Sequence, residues 1–273
     1  MTNPISKTAY YTLGVRAWDA AQPKPVCGDS FANLFMNEDA QNVWQEFKDF
    51  LRPNASNASR HAIIDSQLGE ALRAAPESLV VIIGTGFDTR AFRIKGGNWI
   101  ELDEPQIIGL KESALPASKA SNPLRRIPIE FARELLTEKL SAFTTTKTTH
   151  IIIEGVFMYL HQNERQGLLT GLQKIFPNQV VYCDLMRQSF FERYSKPLHE
   201  KILSLGASFT EMMEYPENIF LDNGYKILSC TSIPLHAAQH GKLDIPAFVI
   251  RFFLKTLRKG FCLWRFQLGQ NYR

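Results

Sequence analysis

Val80-Val81-Ile82-Ile83-Gly84-Thr85-Gly86-Phe87-Asp88-Thr89-Arg90 reads as a buried strand running into a Gly-x-Gly turn. The turn continues as Phe-Asp-Thr-Arg rather than toward a third glycine. Two glycines there let backbone approach a ligand closely, because neither carries a Cβ that would clash or forbid the tight dihedrals. Downstream, Trp99-Ile100-Glu101-Leu102-Asp103 is a second strand-like segment that ends in an acid. An acid at the tip of a neighbouring strand suits the hydroxyls of a ribose. Together the two segments point to an adenosine-containing ligand lying across the top of a parallel sheet.

Working outward, strands and helices alternate. The patterns place strands near 79–84, 98–103, 124–130, 150–155 and 179–185. Helical stretches fall at 88–94, 105–115, 131–143 and 162–176, and a further helix at 60–74 carries Ile63, Ile64, Leu68 and Leu72 on one face. Alternation with strands apolar on both faces implies βαβ units, a parallel sheet and helices on either side. The handedness of such crossovers makes an α/β, doubly wound sheet the expected fold. The tail reads differently: helical around 189–214, a strand at 225–233, a helix at 245–258 and a last strand at 261–268. A strand so soon after a helix, at the end of the chain, suits an antiparallel addition to the sheet. We therefore expect a seven-stranded, mostly parallel Rossmann-like sheet with an antiparallel last strand, in one domain over 1–273.

The bulk properties narrow the class. The 273 residues are 45% hydrophobic and 21% charged, ordinary values for a soluble globular chain. A net charge of +4 gives no case for a nucleic-acid partner. Cys27, Cys183, Cys230 and Cys262 are scattered, with no Cys-x-x-Cys pair, and read as buried thiols of a reducing compartment. The first thirty residues lack a signal-peptide pattern, and no long apolar run is present, so the expectation is a cytoplasmic chain with no membrane partner. The histidines (His61, His150, His161, His199, His236, His240) form no recognisable metal motif, and no metal is expected.

Several ordered segments resemble the leucine carboxyl methyltransferase-like family of class I S-adenosylmethionine-dependent methyltransferases, including its bacterial polyketide O-methyltransferases. They are Gly84 to Arg90, Glu101-Leu102-Asp103-Glu104-Pro105 with Lys111 downstream, and Ile153-Glu154-Gly155-Val156-Phe157-Met158-Tyr159-Leu160. Arg60 and Gly28-Asp29-Ser30-Phe31-Ala32 also match, so the likeness spans about residues 10–195. The five parallel strands and the tail suit that family better than a nicotinamide dehydrogenase, which would want a third glycine and a second half to the sheet.

The resemblance implies a set of roles. S-adenosyl-L-methionine is the cofactor, bound by Arg60, Gly84, Thr85, Gly86, Asp88, Asp103 and Glu154. Arg60 would hold the methionine carboxylate, a task that suits a bidentate guanidinium. Asp103 would take the ribose diol, and Glu154 would sit at the carboxyl end of a central strand near the sulfonium. Glu130 stands where the family has an aspartate beside the adenine; a helix-starting acid is the other reading. The resemblance also implies that 1–58 is an N-terminal helical cover over the cofactor and substrate site, with Arg16 a further candidate contact from it, and Arg90 a residue that fixes the loop through Asp88. Tyr159 matches a position near the substrate, and His161 is the histidine nominated as a base; an exposed helix cap is its alternative.

These readings converge on an O-methyltransferase acting on a carboxylate or hydroxyl of a small metabolite, polyketide-like acceptors among them. Methylation of a protein C-terminal carboxylate and a non-catalytic cofactor-binding protein of the same fold are the alternatives. Arg187, Phe190, Phe191, Arg193 and Tyr194 could receive an acidic aromatic substrate or simply cover the sheet. In the tail helix, Arg251, Lys255 and Lys259 share a face opposite Val249, Phe253 and Leu257, which reads as a solvated face over a buried one rather than a membrane-binding surface.

Overall fold

In the computed structural model, which describes residues 4–269, the apolar runs become β1 (Leu79–Ile83), β2 (Asn98–Asp103), β3 (Leu124–Pro128), β4 (Thr149–Ile153) and β5 (Gln179–Met186). β6 (Tyr225–Ser232) and β7 (Phe261–Leu268) complete one seven-stranded sheet in the order β3-β2-β1-β4-β5-β7-β6. The first five strands pair in parallel. β7 inserts between β5 and β6 and runs antiparallel to both. The strand order reverses between β1 and β4, and the crevice at such a switch point is where open α/β sheets bind ligands.

Each strand feeds both faces because successive side chains alternate. Val81 and Ile83 of β1 join Leu169 and Leu172 of the helix Gln162–Ile175 on one side. Val80 and Ile82 meet Ile64, Leu68 and Leu72 on the other. Burying each such side chain stabilises the fold by about 1.5–3 kcal/mol, which is why these runs cannot be solvated strands.

The N-terminal region forms a third layer. α1 (Pro4–Ala20), α2 (Glu38–Phe47) and α3 (Leu51–Ala74) pack against one another, with Tyr11, Val15, Phe47 and Ala58 in one apolar cluster. Asn37 caps α2, its side chain accepting from Ala40 N at 2.9 Å.

Local differences from the sequence pattern have physical causes. α3 starts at Leu51 rather than near 60; Pro53 lies in its first turn, where a missing N–H costs nothing. The expected boundary of the cover at 58 therefore falls inside a helix. Of 131–143 only Leu136–Leu140 and the turn Ser141–Phe143 are helical. Regular helix in 189–214 ends at Ser204. The helix Ile233–Gln239 was not expected, although Ser232 at its N-cap and Pro234 in its first turn are start signals. The tail stretch 245–258 is two short helices, Ala247–Phe252 and Lys255–Gly260, not one.

Candidate active site

Chain geometry builds the site from the end of β1. Gly84 and Gly86 adopt φ of +67° and +49°. A Cβ on Gly84 would lie 2.5 Å from Val156 Cγ2, so this position requires glycine for space as well as for dihedral. The turn is fastened to β2: Gly84 N and Thr85 N both donate to Leu102 O at 3.0 Å. Gly86 N donates to Asp103 Oδ2 at 2.6 Å. Asp88 closes the turn, accepting from Arg90 N at 2.7 Å and pairing with the Arg90 guanidinium, as the loop-fixing reading of Arg90 expected.

Asp103 sits at the tip of β2, and Glu104 N also donates to it at 2.8 Å. Burial outweighs these bonds and pushes its carboxyl up to about 6. Glu101, two residues earlier, belongs to the core. It pairs with Lys111 Nζ at 2.7 Å and Arg126 Nε at 3.0 Å, and Lys111 also donates to Thr85 Oγ1 at 3.0 Å. Lys111 thereby ties the glycine turn to the underside of β2. Its ammonium is held below the usual lysine range by burial.

Beneath the β1–β4 crevice lies a buried ionic layer. Arg60 donates to Glu154 at 3.1 Å and to Asp184 at 2.9 Å. Arg90 pairs with Asp65 at 2.5 Å and Glu154 at 2.8 Å as well as with Asp88. Arg93 adds Asp65 at 2.6 Å and Asp29 at 3.4 Å. Burial opposes ionisation of Glu154, yet Arg90, His61 and Arg60 outweigh it and hold its carboxyl well below the ordinary range. Burial likewise opposes Asp29, but Arg16 and Arg93 bring it down to about 2. His61, Asp88 and Glu154 have donor atoms within 4.8 Å of one another, a spacing that could hold a metal ion. The Arg90 guanidinium bonds all three, so the cation position is taken by an arginine.

Above this layer opens a cavity of about 910 Å³, large enough for a cofactor with a second small molecule beside it. Arg16, Arg60, Gly84, Thr85, Gly86, Asp88, Asp103, Glu154 and Tyr159 all line it. Arg16 spans from the cover to the turn, bonding Asp29 at 3.1 Å and Phe87 O at 2.8 Å. Burial pushes the Tyr159 hydroxyl up to about 12.

Two candidates stand elsewhere. Glu130 is not among the lining residues; its carboxylate faces Arg133 at 3.0 Å, and Phe131 and Ala132 line the cavity beside it. His161 caps the helix Gln162–Ile175 and faces Glu211 at 3.2 Å, largely exposed and outside the cavity lining. The helix-cap reading thus describes His161. Three participants in the ionic layer went unread in the sequence, Asp65, Arg93 and Asp184, the last of which also accepts from Gly155 N at 2.7 Å. For Asp184 a carboxylate inside the apolar run Val180–Met186 was the available signal.

Residues 9–173 match the family described as leucine carboxyl methyltransferase. The chain belongs to that family. It is an S-adenosyl-L-methionine-dependent methyltransferase, as the resemblance implied. Among its relatives is the tetracenomycin polyketide synthesis O-methyltransferase TcmP of Streptomyces glaucescens, 26% identical over 75% of this chain and 74% of that one. Another is a Mycobacteroides abscessus protein named "Putative S-adenosyl-L-methionine-dependent methyltransferase", 26% identical over 63% of each chain. This alignment spans just under two thirds of that relative's length. A solved structure from Thermobifida fusca, titled "putative methyltransferase", shares the fold of this leucine carboxyl methyltransferase family member at a TM-score of 0.60, 12% identity and 94% coverage of both chains.

Proposed function

We propose that the enzyme O-methylates the carboxylate of a small, largely apolar acceptor. The observation that carries this is the composition of the cavity beyond β5. Every lining residue after Met186 is apolar, aromatic or neutral except Arg193, and none is acidic. Arg52, from the start of α3, also lines the cavity, but its guanidinium is paired with Asp244 at 2.6 Å, which leaves Arg193 as the cation for an acceptor. No histidine lines the cavity among the described residues, and the Tyr159 phenol is too weak an acid to take part as a base near neutrality. An acceptor carboxylate, with a reference pKa of about 4, is ionised at neutral pH and requires no base. The name of the Streptomyces relative supports a polyketide-like acceptor.

The cofactor, when bound, supplies an electrophilic methyl group on a sulfonium. What the chain supplies is position and dryness. The Gly84–Gly86 turn permits close backbone approach, and Asp103 accepts from the ribose hydroxyls. Arg60 has Nε and Nη1 committed to carboxylates, which leaves Nη2 for the methionine carboxylate. Glu154, kept ionised, supplies negative charge near the sulfonium. Arg16 and Tyr159 hold the cover and the post-β4 turn over the site, and Arg193 receives the acceptor's anion.

Methyl-labelled cofactor incubated with apolar aromatic acids, the matching phenols and peptides with free C-termini tests the reading. Label in a base-labile ester of a small acid is the expected product. Label only in base-stable ethers, or only on peptide termini, would overturn it. Arg193→Ala should raise the acceptor KM about tenfold, the size of one charge-assisted hydrogen bond, with unchanged S-adenosylhomocysteine affinity.

A further inference from the structure

The tail between β6 and β7 departs from the expectation of a solvated face over a buried one. Phe253, expected to face inward, is 74% exposed, and Phe248 and Phe252 are 61% and 72% exposed. Phe248 and Phe252 lie four residues apart on one face of the helix Ala247–Phe252, and Phe253 follows at its end, which puts three exposed phenylalanines within six residues. Interspersed with them, Arg251, Lys255 and Lys259 are exposed as well. After Asp244 the sequence contains no acidic residue, and Arg251, Lys255, Arg258, Lys259, Arg265 and Arg273 follow. These six cations exceed the net charge of the whole chain, +4. Asp244 itself is neutralised by Arg52 at 2.6 Å.

Exposed aromatic side chains beside unopposed cations match the two halves of an anionic lipid surface: acyl chains for the rings, headgroup phosphates for the ammonium and guanidinium groups. Water alone gives three adjacent phenylalanines no reason to stay outside. The same segment forms part of the cavity wall, through Leu243, Ile245 and Leu257. No helix among the described residues is long and apolar enough to cross a bilayer, so contact would be peripheral.

We propose that Phe248, Phe252 and Phe253, flanked by Arg251, Lys255 and Lys259, dock the protein onto an anionic bilayer surface and set the acceptor side of the cavity against it. The acceptor is then a lipophilic acid that partitions into the membrane and reaches the cavity past Ile245 and Leu257. This last step rests on the proposed function; the docking does not.

Sedimentation of the full chain, without cofactor, with vesicles of phosphatidylcholine or of equal parts phosphatidylcholine and phosphatidylglycerol tests the docking. Binding to the mixed vesicles, weakened by salt and much weaker on phosphatidylcholine alone, is expected. Lys255→Gln with Lys259→Gln should reduce affinity about thirtyfold. Phe248→Ser, Phe252→Ser and Phe253→Ser together should reduce it at least about tenfold, with S-adenosylhomocysteine affinity unchanged as the check on folding. Equal binding to both vesicle types, or none, would overturn the proposal. So would a solution mass of a dimer that the triple serine variant turns into a monomer, since a second copy would then cover the patch. A methyltransferase that acts on soluble acids but ignores vesicles would sink the docking and leave the proposed function standing.

Discussion

Asp103 carries the sharpest consequence of a single side chain's surroundings. Burial raises its carboxyl to about 6, above the unfolded value near 4. A group raised in this way binds its proton more tightly in the folded chain. It therefore lowers stability as pH climbs from about 4 to about 6, the opposite of an ordinary paired carboxylate. Ribose hydroxyls donate best to the ionised form, so cofactor binding should pull the proton off. Isothermal titration with S-adenosylhomocysteine should show affinity falling roughly tenfold as pH drops from about 7 to about 5, with proton release on binding near pH 6. In Asp103→Asn the pH dependence should vanish along with most of the affinity. A flat profile in the unmutated protein would remove Asp103 from the ribose contact.

The ionic layer under β1 and β4 shows how elements depend on one buried group. Arg90, with no exposed side-chain surface, compensates Asp65 from α3, Asp88 from the glycine turn and Glu154 from the end of β4. Removing one partner of a buried ionic set leaves uncompensated charge and costs about 3–5 kcal/mol. Urea unfolding of Arg90→Met near neutral pH should show that loss. The deficit should shrink in acid, because the orphaned carboxylates can then be protonated. The parent protein behaves oppositely: Asp29, Asp65 and Glu154 have depressed folded values, so their contribution is present above about pH 4 and lost as pH falls below it. An Arg90→Met deficit that grows in acid would contradict the charge assignment. This layer was only partly legible in the sequence. Glu154 and Arg90 stand at strand and turn ends, where a pattern places them; Asp65, His61 and Arg93 sit on helices, where a charge looks solvated until its partners arrive from distant segments. The same limit applied to secondary structure. Strands and the helix Gln162–Ile175 followed from periodicity, because both faces of the sheet bury apolar side chains. The tail did not, because its short helices and outward phenylalanines break the rule that periodicity assumes.

Across the molecule, the cavity lies between the sheet and an N-terminal roof that packs on it through one apolar cluster, in which Tyr10, Leu13 and Phe35 meet Phe87, Ile107 and Leu115. The sheet and its turns form the floor, while Thr8, Ala9, Tyr11, Thr12 and Arg16 of α1 form part of the roof. Arg16 joins roof to floor through Phe87 O, Asp29 beside it accepts from Thr89 Oγ1 at 2.6 Å, and the rings of Tyr10 and Phe87 stack across the same boundary. A ligand filling the space contributes contacts to roof and floor at once, so it should raise stability by about 2.7 kcal/mol when present at about a hundred times its Kd. The location of the gain is as informative as its size. Amide exchange in α1 should slow markedly with S-adenosylhomocysteine, whereas the amides of β6, which contributes no residue to the cavity, should not respond beyond the global stabilisation. Arg16→Ala should leave α1 exchanging faster in the free protein and should restore most of the protection once ligand is added, because the ligand supplies the contact that the guanidinium no longer makes. If α1 exchanges at the same rate with and without ligand while the melting temperature rises, the N-terminal helix is not a cover for the cofactor, and the roof must be assigned to the segments that follow β5.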